Sequence, residues 1–340
     1  MILGIDNLEL PDVREIWISR STLTYRAPIV TAHGAIGERD VVVLTVADAD
    51  GRTGHGEAAP LAGFTPETID EAERALRRWA DGDTDPDHSP NRYPTVRAAI
   101  DGALLDLAAR FVDRPLHDLL APASPSTVPV SALVGGATPD EAASAAAAAV
   151  TAGHRTVKVK VAAGPFEADL IRVGAVRAAI GDARLRVDAN GGWTLDEAPR
   201  HLARLAELDV EFVEEPVAGL EALAVVRASS PVPVAVDESI RTSGDLDRAI
   251  TLGSADVVVC KPSAIGGPLA AAAAARMATD AGLTVVVTSL LEGSVGIRAA
   301  AHLASAIGAL DPAPGLATAG LLANDSGPPL LPEGGSLHLA

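Results

Sequence analysis

The chain has 340 residues and a formal net charge of −18, from 27 Lys+Arg against 45 Asp+Glu. That balance excludes a polyanionic partner such as nucleic acid or an anionic membrane, which clustered Lys and Arg would have to bind. With 48% hydrophobic residues and one cysteine, Cys260, it is a globular chain with neither an intrachain disulfide framework nor an all-cysteine metal site.

Positive charge is carried by 24 arginines and only three lysines, Lys158, Lys160 and Lys261. The opening Met1 to Asp6 has no basic region ahead of an apolar stretch, so no secretory signal is expected. The alanine-rich runs at 142–150 and 270–275 are far shorter than the roughly 20 residues of a membrane span. A soluble, cytoplasmic protein is expected.

Two alternating segments, Glu15 to Arg20 and Asp40 to Ala47, flank a Gly- and Pro-bearing stretch from Pro28 to Gly37. They predict antiparallel strands joined by a loop, in which His33 is a candidate substrate contact or a solvated histidine. Thr65-Pro66-Glu67 predicts a helix start, because Ile69, Ala72, Leu76 and Trp79 follow at helical spacing. After a polar linker from Asp81 to Pro90, Thr95 to Phe111 predicts a second helix. Residues 1–95 thus read as a small α+β capping domain.

From Val128 onward, short β-branched runs alternate with alanine-rich helical stretches. The runs are Val128–Leu133, Thr156–Val161, Leu185–Ala189, Val210–Val213, Val232–Val236, Asp256–Cys260 and Leu283–Thr288, with a short last one around Gly315–Thr318. Continuous apolar strands separated by helix lengths indicate parallel strands buried on both faces. Eight of them over about 200 residues predict an α/β barrel. A doubly wound open sheet is the alternative, and it would normally bring a Gly-rich first turn that is not found.

Ionisable residues close these strands: Lys160, Asp188, Glu214, Asp237, Lys261, then the Ser289 to Glu292 segment. One βα unit fits each interval, so these groups gather on the C-terminal rim, where barrel enzymes place their sites. Strand alternation puts Lys158 with Lys160, and Arg186 with Asp188 and Asn190. Arg186 could hold a substrate carboxylate or form a barrel ion pair. Glu215 and Glu238 adjoin the strand-end acids and are expected on the opposite face, and Cys260 is expected in the core.

Asp188, Glu214 and Asp237, with no histidine or cysteine among them, make a hard oxygen site suited to Mg²⁺, with Mn²⁺ possible and zinc disfavoured. A metal that coordinates a substrate carboxylate stabilises the second negative charge formed when a proton leaves the adjacent carbon. A lysine whose pKa is lowered by burial and neighbouring cations can take that proton, which arginine cannot.

Lys158-Val159-Lys160, Arg186-Val187-Asp188-Ala189-Asn190, Phe212-Val213-Glu214-Glu215-Pro216, Val236-Asp237-Glu238-Ser239 and Val259-Cys260-Lys261-Pro262 resemble the enolase superfamily, in the branch of the muconate lactonizing enzymes. The resemblance implies a (β/α)7β (modified TIM) barrel over residues 96–318, under a cap completed by residues 319–340. It also implies that Asp188, Glu214 and Asp237 bind Mg²⁺, that Lys160 is the base and that Lys261 offers a cation from the opposite face. The Lys base with magnesium and an ene-diolate is the superfamily's general mechanism, recognised rather than read from spacing.

Gly56 to Phe64 in the cap and Thr288 to Gly296 at the seventh strand look most like the o-succinylbenzoate synthases. That resemblance implies Mg²⁺-assisted dehydration of a small-molecule carboxylate, a succinyl-bearing cyclohexadiene, in menaquinone synthesis. Lys158, Arg186, Asn190, Ser289 and Glu292 are the expected substrate contacts. An N-acylamino acid racemase, a dipeptide epimerase or a muconate-type cycloisomerase would use the same array. Dipeptide epimerases typically carry Asp-x-Asp at the seventh strand for the substrate ammonium, where this chain has Ser289-Leu290-Leu291 and then Glu292.

Overall fold

A computed structural model describes residues 11–31, 34–85 and 89–340. Met1 to Asp6 and His33 lie outside the described residues, so the readings placed on them are not addressed by it.

The chain begins with an antiparallel sheet of β1 (Glu15–Thr31), β2 (Gly34–Ala47) and β3 (Thr53–Ala58), in the order β1-β2-β3. The two alternating segments pair as the sequence predicts, from Glu15 opposite Ala47 to Arg20 opposite Val42. The strands run further than expected, however. The stretch read as a loop continues the ladder through Ile29 opposite Ile36, after a register shift between Thr24 and Ile29. β3 was not foreseen, since its glycines mask a strand pattern. They are there for packing: a Cβ on Gly56 would lie 1.8 Å from the Ala99 carbonyl oxygen of α2 (Pro94–Phe111).

The first cap helix, α1 (Ile69–Ala80), starts three residues later than predicted. Its N-cap is Thr68, in a reciprocal capping box with Glu71. Thr65 instead closes the preceding turn, its hydroxyl accepting from the Leu61 N–H at 3.0 Å. Leu76 of α1, Ile100 and Leu107 of α2 and Val42, Leu44 and Val46 of β2 form the cap core.

After α3 (Leu116–Leu120), the predicted run Val128–Leu133 divides in two. β4 (Thr127–Pro129) pairs with the C-terminal β12 (Ser336–His338), while β5 (Ala132–Val134) enters the barrel. The remaining units are α4 (Pro139–Thr151), β6 (Thr156–Lys160), α5 (Phe166–Ile180), β7 (Arg184–Asp188), α6 (Ala198–Ala206), β8 (Val210–Glu214), α7 (Leu220–Arg227), β9 (Val234–Val236), α8 (Ser243–Leu252), β10 (Val257–Cys260), α9 (Pro268–Asp280), β11 (Thr284–Val287) and α10 (Ser294–Ala306). Strands β5 to β11 form one parallel sheet in sequence order.

The eighth position is a single bridged residue, Gly315, rather than a strand to Thr318. Gly315 accepts from the Ser289 N–H at 3.1 Å and donates to Val287 O at 2.9 Å, while Pro314 O accepts from the Ser131 N–H at 2.9 Å. Residues 317–321 then form a 3-10 turn. The curled sheet closes through these bonds, giving the barrel architecture expected for the chain.

Along each barrel strand, valines and leucines point outward into the helix layer, and Val159, Leu185, Val187 and Val213 are fully buried there. Burying each such side chain contributes roughly 1.5–3 kcal/mol. Alternation therefore leaves Lys158, Lys160, Arg186, Asp188 and Glu214 on the barrel interior. The C-terminal segment reaches back to the cap: Asn324 accepts from the Thr24 N–H and donates to Thr22 O, each at 2.7 Å. Among the described residues no helix is long and apolar enough to cross a membrane.

Candidate active site

A cavity of about 1220 Å³ opens at the C-terminal ends of the barrel strands, roofed by the cap residues 34–39 and 60–64. Lys158, Lys160, Arg186, Asp188, Asn190, Glu214, Asp237, Lys261 and Ser289 all line it, so the structure brings these predicted residues together. Counting Gly315 as the eighth position, β6 and β10 stand four places apart. Lys160 and Lys261 therefore approach from opposite sides.

Lys160 Nζ donates to Asp188 Oδ2 at 2.7 Å and to Asn190 Oδ1 at 2.9 Å. Asn190 adopts a φ of +45°, tolerated by asparagine, and donates through Nδ2 to Glu238 Oε1 at 2.7 Å. Lys158 Nζ sits 2.7 Å from both oxygens of Glu214 and 2.9 Å from Asp188 Oδ2. Lys261 Nζ pairs with Asp237 Oδ1 and lies 4.8 Å from the centre of the Phe64 ring, a cation–π contact across the cap and barrel.

Burial raises the Glu214 carboxyl to about 7, with the Asp188 carboxylate adding to the rise. Asp188 moves the other way: burial opposes ionisation, but Lys158 and Lys160 hold it well below the usual carboxylate range. Burial would lower Lys158 and Lys261, yet the carboxylates around them prevail and push both up. The depression expected for a buried lysine is thus reversed at these two, because negative charge outweighs the lack of solvent.

Five carboxyl groups, from Asp188, Glu214, Glu215, Asp237 and Glu238, meet three ammonium groups around these strand ends. Carboxyl groups outnumber ammonium groups, and a donor set made only of oxygen suits a hard divalent cation. Among the described residues no three His, Cys, Asp or Glu side chains are drawn to one point as metal ligands. The Lys158 ammonium stands between Asp188 and Glu214, which shows that positive charge is accommodated there.

Other readings change. Glu292 does not face the cavity. It is 1% exposed, and its carboxylate accepts from the Ser263 hydroxyl at 2.8 Å and from the Leu290 N–H. The missing side chain of Gly296 leaves room for it, since a Cβ there would lie 2.6 Å from Glu292 Cγ. Arg186 takes the ion-pair reading: Nε donates to Glu211 Oε2 and Nη1 to Ala313 O, both at 2.6 Å, over the Phe212 ring. The Ser289 hydroxyl bonds Thr318 Oγ1 at 2.7 Å.

Glu215 and Glu238 both line the cavity, because Glu215 lies one residue past the end of β8 and Glu238 two past the end of β9, where strand alternation no longer applies. Glu215 accepts from the Asp237 N–H at 2.7 Å and from the Ser239 hydroxyl, and burial pushes it up to about 8. Cys260 is core as expected, with burial raising its thiol to about 12. Sequence reasoning missed Phe64 and Arg39. An arginine on the valine-bearing face of a strand was the available signal for Arg39.

Residues 140–340 match the family described as enolase C-terminal domain-like, more than half of the chain. The chain belongs to the enolase superfamily. Residues 13–107 match the MenC N-terminal domain. The superfamily fold is borne out at TM-score 0.88 by the muconate lactonizing enzyme of Pseudomonas fluorescens, with 25% identity over 98% of this chain and 95% of that one.

A dipeptide epimerase from Enterococcus faecalis, solved with Mg and L-Leu-L-Tyr, superposes at TM-score 0.85 with 27% identity over 96% of this chain and 97% of its own. An o-succinylbenzoate synthase from Thermobifida fusca is 46% identical over 62% of this chain. The match spans 66% of that relative's length, just under two thirds.

Proposed function

We propose that this superfamily enzyme is an o-succinylbenzoate synthase that dehydrates a succinyl-bearing hydroxycyclohexadiene carboxylate in menaquinone synthesis, in the cytoplasm. The observation that carries the choice is the inward turn of Glu292. With Ser289, Leu290 and Leu291 lining the seventh-strand wall, no carboxylate is offered there to a substrate ammonium. The similarity to the Thermobifida synthase and to the MenC N-terminal domain supports the same reading.

Asp188, Glu214 and Asp237 would hold Mg²⁺, or Mn²⁺ in its place, and the bound cation would supply positive charge to the substrate carboxylate as its neighbouring carbon loses a proton. Lys160 acts as the base and takes that proton on Nζ. Asp188 and Asn190 fix where Nζ stands. Lys261, across the barrel, keeps its proton and stabilises the enediolate electrostatically. The Lys160 ammonium then gives its proton to the departing hydroxyl, so water leaves and the ring becomes aromatic. The reading assigns this chemistry to residues 96–318, and substrate selection to the cap of residues 1–95 with 319–340.

The test is to mix the purified protein and Mg²⁺ with the cyclohexadiene substrate and follow aromatisation in the ultraviolet. Saturable turnover is expected. Absent turnover, together with α-deuterium exchange into N-succinyl amino acids or dipeptides in D₂O, overturns the assignment.

A further inference from the structure

We propose that Arg39 is a positioning residue that sets the roof of the cavity by holding a cap loop and the seventh barrel loop to one guanidinium. The latch is read from geometry, and the choice of assay substrate rests on the synthase reading.

Arg39 lies on β2 with Val41 and Val43 on its buried side, and is itself 7% exposed. Its Nη2 donates to Ala59 O at 2.5 Å and to Pro60 O at 3.1 Å, and its Nη1 donates to Leu290 O. The first two carbonyls open the loop that ends in Phe64, above Lys261. The third lies in the wall formed by Ser289 to Leu291. One planar fork therefore ties together two segments 230 positions apart in the chain, Pro60 and Leu290. A lysine has a single point of charge and cannot reproduce that span.

The barrel loop is held from the cap at two further points. Tyr25 donates its hydroxyl to Leu291 O at 2.6 Å, and Glu57 accepts from the Gly293 and Gly296 N–H groups at 2.8 and 3.0 Å. Leu291 has a φ of +61°, a conformation unfavourable for leucine that persists only where its surroundings impose it. The loop to Phe64 has fewer ties: its turn is closed internally by Leu61 with Phe64 and Thr65, and Arg39 joins its start to the barrel. The carbonyls that the guanidinium binds are all main-chain, and its side-chain neighbours are the Tyr25 hydroxyl and the buried Glu292 carboxylate, both outside the catalytic array. Arg39 thus acts through Phe64 and Leu290, while the lysines and carboxylates stay on β6 to β10 and at their ends.

Loosening the roof should weaken substrate capture more than the chemical steps. In the full-length Mg²⁺-loaded enzyme, R39M is expected to raise KM about tenfold or more and to change kcat by less than about threefold. F64A should raise KM similarly, and R39M/F64A should do little more than either alone, because both act on one loop. R39K should not restore KM. Hydrogen exchange in R39M should accelerate together in residues 60–64 and 290–293 and stay unchanged in 156–161.

Unchanged KM with only a lower melting temperature, additive effects of R39M and F64A, or faster exchange in one loop alone would each overturn the proposal. Should R39M not fold, R39K gives the same readings. Should the wild-type chain not turn over the cyclohexadiene, the synthase reading fails, and the paired exchange of the two loops still decides the latch.

Discussion

Lys158 Nζ lies 2.7 Å from both carboxylate oxygens of Glu214, so a lysine of β6 neutralises an acid two strands away. Breaking a buried pair costs about 3–5 kcal/mol when one partner is left behind. K158M should therefore lower stability by about that much in EDTA, and Mg²⁺ should return most of it by binding the same carboxylates. Urea unfolding with and without Mg²⁺ reads both effects, and a variant as stable as wild type in EDTA contradicts the pairing. D188N/E214Q/D237N should lose Mg²⁺ binding in calorimetry.

K160A should still fold, at a stability cost in EDTA comparable to that of K158M because it breaks the buried pair with Asp188, and Lys160 is expected to be indispensable for turnover. K160A should reduce kcat by about 10²–10⁴-fold, the usual range for a removed general base, while Mg²⁺ affinity stays within about twofold. Wild-type rates in K160A would remove it as the base. R186K should lower stability, since the bonds of Arg186 to Glu211 and to Ala313 O use two nitrogens of one planar guanidinium.

Acid sensitivity should arise from a histidine far from the site. His302 is pushed down to about 3, first by burial and then by neighbouring His117, and its Nδ1 accepts the His117 N–H at 3.1 Å. A depressed base disfavours the native state in acid: below about pH 6.5 the unfolded chain takes a proton that the folded chain refuses. Stability should therefore be unaffected by this group above pH 6.5 and fall progressively toward pH 3, by several kcal/mol in all. H302N keeps an acceptor near Nδ1 without a titrating ring, and should flatten that acid limb in urea unfolding between pH 7.5 and 5. An unchanged slope would exclude His302 as the cause.

The cap depends on two missing side chains. A Cβ at Gly56 would meet Ala99 O at 1.8 Å, and one at Gly54 would meet Ala103 O at 2.1 Å. G56A must push α2 off the sheet, an overpacking cost of about 1–3 kcal/mol. A melting temperature equal to wild type would show that the sheet and helix are not in close contact.

The strand-end acids and lysines were legible because a parallel strand repeats every two residues and each βα unit returns the next strand end to the same rim. Lys160, Asp188, Glu214, Asp237 and Lys261 needed only that periodicity. Phe64 and Arg39 did not follow it. Their significance lies in contacts with Lys261 and Leu290, distant in sequence and close only after the cap folds onto the barrel. The split of Val128–Leu133 was hidden for the same reason, since the partner of β4 is the last strand of the chain.

The sequence by itself determined a βα repeat, a set of carboxylates at successive strand ends and a pair of lysines at the ends of β6 and β10, because local period and spacing are properties of the chain alone. Only the tertiary structure decided that Gly315 closes the barrel, that Lys158 lies against Glu214, that Glu292 turns to Ser263, and that Arg39 binds the cap to the seventh loop. Each of these depends on which buried polar group finds a partner, and the partners come from segments brought together only by folding.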